Sequence, residues 1–169
     1  YVVIAFTFRS YSKPLLLIFM IPFSVIGIVL GHFLHGLPIN VLSWLGIIAL
    51  IGIMVNDGLV LIGKFNGFLK EGYKYDDALL RAGASRFRAI FLTSLTTVAG
   101  LSPLLLEQSR QAQFLKPMAI SISYGIVVAT FLTLLMLPLL LSLSNSVKVF
   151  FKWLRTGKEV SKEEVERAV

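Results

Sequence analysis

The chain has 169 residues, of which 56% are hydrophobic and 15% charged, and its mean hydropathy is +0.83. That composition excludes an ordinary water-soluble domain and places function in or beside a lipid bilayer. The absence of cysteine excludes a disulfide framework and any thiolate metal centre. The formal charge of +7 admits nucleic acid or anionic lipid as partners, and the placement of the cations decides between them.

Residues 1–8 are apolar but too short to cross a membrane. They read as the truncated end of another spanning helix, which makes the chain a part of a longer protein. No basic segment precedes them and no small-residue cleavage site follows, so they do not read as a signal peptide. Residues 9–143 carry four apolar stretches of spanning length, at about 15–34, 41–64, 89–106 and 115–143; a helix needs about 20 residues to cross a core about 30 Å thick. The expected fold is therefore an all-α membrane bundle of four full transmembrane helices and one truncated helix.

In the first full stretch, "GIVLG" (27–31) has the small-xxx-small spacing that lets two helices approach closely. His32 and His35 stand three apart near its outer end. No third ligand accompanies them, so they read as interfacial histidines and no metal is expected. Pro22, Pro103 and Pro138 mark the expected kinks in three of the helices.

The stretch 41–64 contains "GIMVNDGLVLIGKFN", which sets Asn56 and Asp57 inside an apolar run. Asp57 is the single acidic residue in any spanning stretch, and a charged Asp at a helix centre costs roughly 2.5–3.5 kcal/mol to insert. Counting back from Phe65 at about 1.5 Å per residue puts Asp57 roughly 12 Å into the membrane, too deep for a short side chain to reach water. At 100° per residue, Ser43, Gly46, Leu50, Ile53 and Met54 share its face, with Lys64 two turns nearer the end.

The connection to the third stretch is not uniform. "KEGYKY" reads as a turn, after which Asp76 or Asp77 can cap a short helix over about 76–88. Ala78, Leu79, Ala82 and Phe87 give that helix an apolar side, while Arg81, Arg86 and Arg88 reach for headgroups, so it is expected to lie in the interface. The third stretch then offers Thr93, Ser94, Thr96 and Thr97 in "LTSLTT", hydroxyl partners near the depth of Asp57. Ser123 and Thr130, on one face of the last stretch, extend the polar interior or bond their own backbone. Residues 144–169 form a basic tail whose end, "SKEEVERAV", is expected to be mobile.

The cations are segregated. Arg9 and Lys13, then Lys64, Lys70, Lys74, Arg81, Arg86 and Arg88, then Lys148, Lys152, Arg155, Lys158, Lys162 and Arg167 fall on one side, leaving only Arg110 and Lys116 on the other. The positive-inside rule makes the rich side cytoplasmic, C-terminus included. Topology and contact with an anionic inner leaflet thus account for the charge, without nucleic acid.

Two readings of Asp57 follow. Removal from water favours the neutral acid and a nearby cation favours the carboxylate, so the group can titrate as its surroundings change, which a proton relay or ion coupling requires. Alternatively, a permanently protonated Asp57 serves with Asn56 as interhelical glue. Enzymes are excluded on inventory: an intramembrane aspartyl protease needs two carboxylates, and neither histidine lies at the depth of a candidate nucleophile.

"IGIMVNDGLVLIGKFN" resembles the tenth transmembrane helix of the resistance-nodulation-division (RND) efflux pumps, in the bacterial branch that exports hydrophobes and amphiphiles. "FRSYSKPLLLIFMIPFSVIGIVLGH" is similar to the end of helix eight and helix nine, "EGYKYDDALLRAGASRFRAIFLTSLTTVAGLSPL" to the cytoplasmic linker and helix eleven, and "PMAISISYGIVVATFLTLLMLPLLL" to helix twelve. The resemblance covers nearly all of the chain up to about Leu143, with the pieces in the family's order.

That resemblance implies the C-terminal transmembrane portion of a proton-driven antiporter in the bacterial inner membrane, with protons as coupling ion and no cofactor. It implies a homotrimer working with a periplasmic adaptor and an outer-membrane channel, and a relay completed by an aspartate pair in the remainder of the same permease chain. The family's polar position on helix ten falls on Asn56, followed by Asp57. Its helix-eleven hydroxyl falls on Thr93, and Arg86 matches an arginine near the cytoplasmic proton route; Thr96, Thr97 and Lys64 are candidate polar support. The best-known pumps carry lysine where this chain has Asn56. Asparagine brings no cation, which leaves Asp57 as the charged member or calls for a different coupling ion. The rival expectation is a non-transporting structural or sensing membrane module of the same superfamily, or an inactive piece whose helices merely pack.

Overall fold

The computed structural model describes residues 1–8, 10–157 and 161–166; Arg9, Lys158 and Arg167 of the basic clusters, and the last three residues of the tail, lie outside the described residues. Long apolar runs uninterrupted by turn residues fold as helices, and the described elements are all helical: α1 (Val2–Phe8), α2 (Ser12–His35), α3 (Val41–Lys70), α4 (Tyr75–Leu106), α5 (Arg110–Phe131), a π-helical turn (Leu132–Met136), α6 (Leu137–Thr156) and α7 (Lys162–Glu166). Four continuous helical runs are long and apolar enough to cross a membrane: α2, α3, α4, and the run from Arg110 to Thr156.

Local chemistry sets the ends. Gly36 closes α2 in the left-handed region (φ 61°), which only glycine enters without cost. Asn40 and Ser43 form a reciprocal capping box at the start of α3, each side chain accepting from the other's backbone N–H. Pro138 cannot supply the N–H that would bond the carbonyl of Leu134, and beside it the ladder widens into the π turn.

α5 is the centre of the bundle, packing along α2, α3 and α4. The expected close approach at "GIVLG" is realised against it: a Cβ added at Gly27 would lie 2.5 Å from the Tyr124 carbonyl oxygen, and one at Gly31 2.6 Å from the Tyr124 ring. Backbones can approach this closely only where no side chain stands between them. The core continues toward the basic end through Leu17, Leu61, Phe65, Tyr75 and Leu137.

Three expectations need correction. Residues 76–88 are not a separate interfacial helix; they are the first turns of α4, which runs unbroken from Tyr75 to Leu106. The physical reason is burial: Tyr75, Ala78, Leu79 and Ala82 are buried in the bundle, with the Tyr75 ring edge-on to Phe65 and its hydroxyl donating to the Leu141 carbonyl at 2.8 Å. Asp76 and Asp77 therefore sit inside the first turn, where they complement the helix dipole without capping it.

The second correction concerns Leu143. The helix does not stop there, and α6 continues to Thr156, closed by Gly157 at φ 66°. The third concerns the tail: residues 162–166 form α7, docked against the bundle. Its anchor is Glu166, whose carboxylate lies 3.2 Å from the Lys13 amino group and 3.5 Å from that of Lys148. A carboxylate shared between two amines keeps charged partners on both sides, which offset the cost of removing it from water.

Candidate functional site

α3 presents one face to the bundle: Ser43, Gly46, Leu50, Met54, Gly58, Leu61 and Phe65 are buried at the i, i+3/i+4 spacing of a helix stripe. Asp57 lies about 60° around the helix from Met54, at the flank of this stripe, and is half-buried. Asn56 points further away and is exposed. Neither side chain makes a hydrogen bond or ion pair among the described residues. The bundle thus places a carboxylate and an amide in a membrane-spanning helix with no side-chain partner among the described residues, a costly arrangement unless another element completes it.

Thr93, Thr96 and Thr97 on α4 do not meet Asp57. Each bonds its own helix: Thr93 Oγ1 donates to the Ala89 carbonyl at 2.8 Å, Thr96 to Leu92 at 2.9 Å, and Thr97 to Thr93 at 2.8 Å. Thr93 and Thr96 are exposed and Thr97 half-buried, as is Arg86, whose Nε is enclosed without a partner among the described residues. Lys64 is exposed. The residues singled out from the sequence are therefore not joined into a network among the described residues.

The interhelical polar contacts that do form lie elsewhere. Ser94 and Thr130 bridge α4 and α5 through a short hydroxyl–hydroxyl hydrogen bond, with Thr130 also donating to Ile126 O at 2.7 Å. At the C-terminal end of α2, the ring nitrogens of His32 contact Leu37 O at 3.1 Å and Ser121 Oγ at 3.0 Å. With Nδ1–H donating to the carbonyl, Nε2 accepts from the serine, so both nitrogens are occupied. His35 instead contacts Gly31 O at 3.1 Å and stands edge-on to Tyr124. Among the described residues no three His, Cys, Asp or Glu side chains gather as a metal site.

Such a bundle, with four helical runs of spanning length, belongs to the class of polytopic membrane proteins. The sequence profile of the AcrB/AcrD/AcrF family matches residues 1–145, and the chain belongs to that family of RND permeases. It is 34% identical over 140 residues to the swarming motility protein SwrC of Bacillus subtilis, covering 82% of this chain and 13% of SwrC. It is 31% identical over 138 residues to the cobalt-zinc-cadmium resistance protein CzcA of Cupriavidus metallidurans, covering 82% of this chain and 13% of CzcA. It is 29% identical over 161 residues to the multidrug resistance protein MdtC of Serratia proteamaculans, covering 95% of this chain and 15% of MdtC. Among solved structures, a heavy metal efflux pump matches 81% of this chain and 14% of its own length, with a TM-score of 0.66 and 28% identity. The chain thus spans roughly a seventh of the length of the relatives it matches.

Proposed function

We propose that the chain is the C-terminal transmembrane portion of a proton-driven exporter of hydrophobic and amphiphilic compounds, and that it carries half of the coupling site. The observation that carries this reading is Asp57: half-buried in a spanning helix, without a partner among the described residues, beside Asn56, which has none among them either. A carboxylate so placed must neutralise or be completed by groups from the remainder of the permease, and the two conditions are the two states of a relay.

In this reading Asp57 takes up and releases the proton, Asn56 orients the carboxyl as donor and acceptor, and Thr93 joins when its hydroxyl exchanges the Ala89 carbonyl for a neighbour across the membrane. Arg86, with its unsatisfied Nε, lies on the side where cations are concentrated and supplies positive charge to the proton's exit. One elementary charge moving down 100 mV of membrane potential yields about 2.3 kcal/mol, which the rest of the permease spends on moving substrate. The bacterial inner membrane, a homotrimer, a periplasmic adaptor and an outer-membrane channel complete the assembly.

MdtC, named for multidrug resistance, aligns over 95% of this chain and supports an organic substrate, whereas CzcA, named for cobalt, zinc and cadmium resistance, aligns over 82%. The test uses cells expressing the full-length permease, wild type against Asp57→Asn, at matched membrane levels. Loss of fluorescent-dye efflux in the variant supports the reading; unchanged efflux reduces Asp57 to helix glue. Export of Zn²⁺ or Co²⁺ in place of dye overturns the substrate class and leaves the coupling site intact.

A further inference from the structure

The run from Arg110 to Thr156 is one continuous helix of 47 residues, about 70 Å long at 1.5 Å per residue, whereas the hydrocarbon core is about 30 Å thick. With residues 115–143 filling the core, the last three turns of α6 stand beyond it on the side rich in cations. A helix entering water there should turn polar all round. Instead Val147, Phe150, Phe151, Trp153 and Leu154 are exposed, Phe151 at 66% and Leu154 at 59%.

Their arrangement is ordered. At 100° per residue, Val147, Phe150, Phe151 and Leu154 fall within an arc of about 100°. Lys148, Lys152 and Arg155 flank that arc on one side and Trp153 on the other. Apolar rings between long cations and a tryptophan are what a helix lying at the boundary of acyl chains and headgroups presents: the rings sink, the cations snorkel outward, and the indole sits at headgroup level. Lys152 and Arg155 are exposed and their side chains make no hydrogen bond or ion pair among the described residues, so their charges are available. The π turn Leu132–Met136 and Pro138 interrupt the regular ladder within the cation-rich half of the span that leads into this segment, where a helix can change direction.

We propose that residues 146–156 form an amphipathic arm that lies in the membrane interface and binds anionic phospholipid headgroups through Lys152 and Arg155. The arm rests on the reading of residues 115–143 as a membrane span, and on the proposed topology for the leaflet it touches. Its docked neighbour α7 covers part of the cation-bearing flank, where Lys148 is already paired with Glu166, while Lys152 and Arg155 on that flank stay exposed.

The test places a nitroxide at Phe151→Cys or Arg155→Cys, one at a time, in a cysteine-free background of the full-length permease. The protein is reconstituted in nanodiscs of phosphatidylcholine alone or mixed with phosphatidylglycerol. Collision with oxygen, which partitions into lipid, and with a water-soluble nickel chelate is read by electron paramagnetic resonance. The arm predicts several-fold greater oxygen than nickel accessibility at 151, the reverse at 155, and deeper burial of 151 with phosphatidylglycerol, abolished by Lys152→Gln with Arg155→Gln. Free nickel access at 151 would put the segment in water and overturn the proposal. Shielding from both reagents would show that another part of the permease covers it. Equal depth in both lipids would remove the anionic preference. Nanodiscs present both leaflets, so failure of the proposed orientation or of proton coupling leaves this result unchanged.

Discussion

Lys13, in the first turn of α2, and Glu166, at the end of α7, form an ion pair of 3.2 Å with side chains only 3% and 6% exposed. The same amino group donates to Asn66 Oδ1 of α3 at 2.7 Å, and the same carboxylate reaches Lys148 of α6 at 3.5 Å. A chain terminus expected to be mobile is thereby a strap across three helices, one of which carries Asp57. Glu166→Gln leaves the Lys13 charge buried with only Asn66 as partner, and breaking a buried pair in this way costs about 3 kcal/mol. The midpoint of thermal unfolding in detergent should fall clearly. Replacing both partners, Lys13→Met with Glu166→Leu, should recover most of it, because an apolar pair leaves no fully buried charge without a partner, and Lys148, 31% exposed, keeps contact with water.

The approach of α2 to α5 gives a second outcome. Gly27→Ala puts a methyl 2.5 Å from the Tyr124 carbonyl oxygen, a backbone atom that cannot rotate aside, and overpacking of this kind costs about 1–3 kcal/mol. Gly52→Ala meets nothing within 4 Å, and the gain in helix propensity, up to about 1 kcal/mol, should make it neutral or stabilising. Thermal unfolding of the two variants in the same detergent should separate them in opposite directions.

The Ser94–Thr130 bridge lends itself to a double-mutant cycle. Hydrogen bonds between membrane helices couple by about 0.6 kcal/mol on average and up to about 1.7 kcal/mol. Ser94→Ala and Thr130→Val should therefore be non-additive within that range. Strict additivity would show that the two hydroxyls do not hold α4 and α5 together.

Thr93 separates function from stability. Its hydroxyl bonds only the carbonyl of Ala89 in its own helix, and it is exposed, so Thr93→Val should change stability by no more than about 0.5 kcal/mol. If the hydroxyl joins the relay, the same variant lowers efflux sharply and Thr93→Ser restores it. Efflux and unfolding measured on one set of preparations distinguish the two effects.

The membrane class, the four spans and the glycine seam at Gly27 and Gly31 were legible because each rests on a local pattern: apolar length, or small residues four apart. The unity of α4 was not. Residues 76–88 carry an amphipathic pattern equally suited to lipid and to protein, and only the long-range anchor of Tyr75 on Phe65 and Leu141 selects protein. The docking of α7 was hidden for the same reason, since nothing near Glu166 in the sequence announces Lys13. On α4 the sequence drew attention to Thr93, Thr96 and Thr97, yet the interhelical bond is made by Ser94. Helix phase chose it: Ile90 and Ser94 share the buried stripe of α4, Thr93 and Thr97 lie to one side of it, and Thr96 is on the far face. Asp57 was legible as an anomaly from its place in an apolar run, and among the described residues no side chain pairs with it.

The central claim, that Asp57 is the proton-carrying group of an exporter, is tested most directly by proton counterflow. The full-length permease would be reconstituted in liposomes with an entrapped pH-sensitive dye, and proton movement recorded on addition of an exported amphiphile, for wild type and for Asp57→Asn. Substrate-dependent proton movement in the wild type, absent from an equally well-folded variant, is the result this account predicts. Equal proton movement in both would contradict it and assign Asp57 to helix packing.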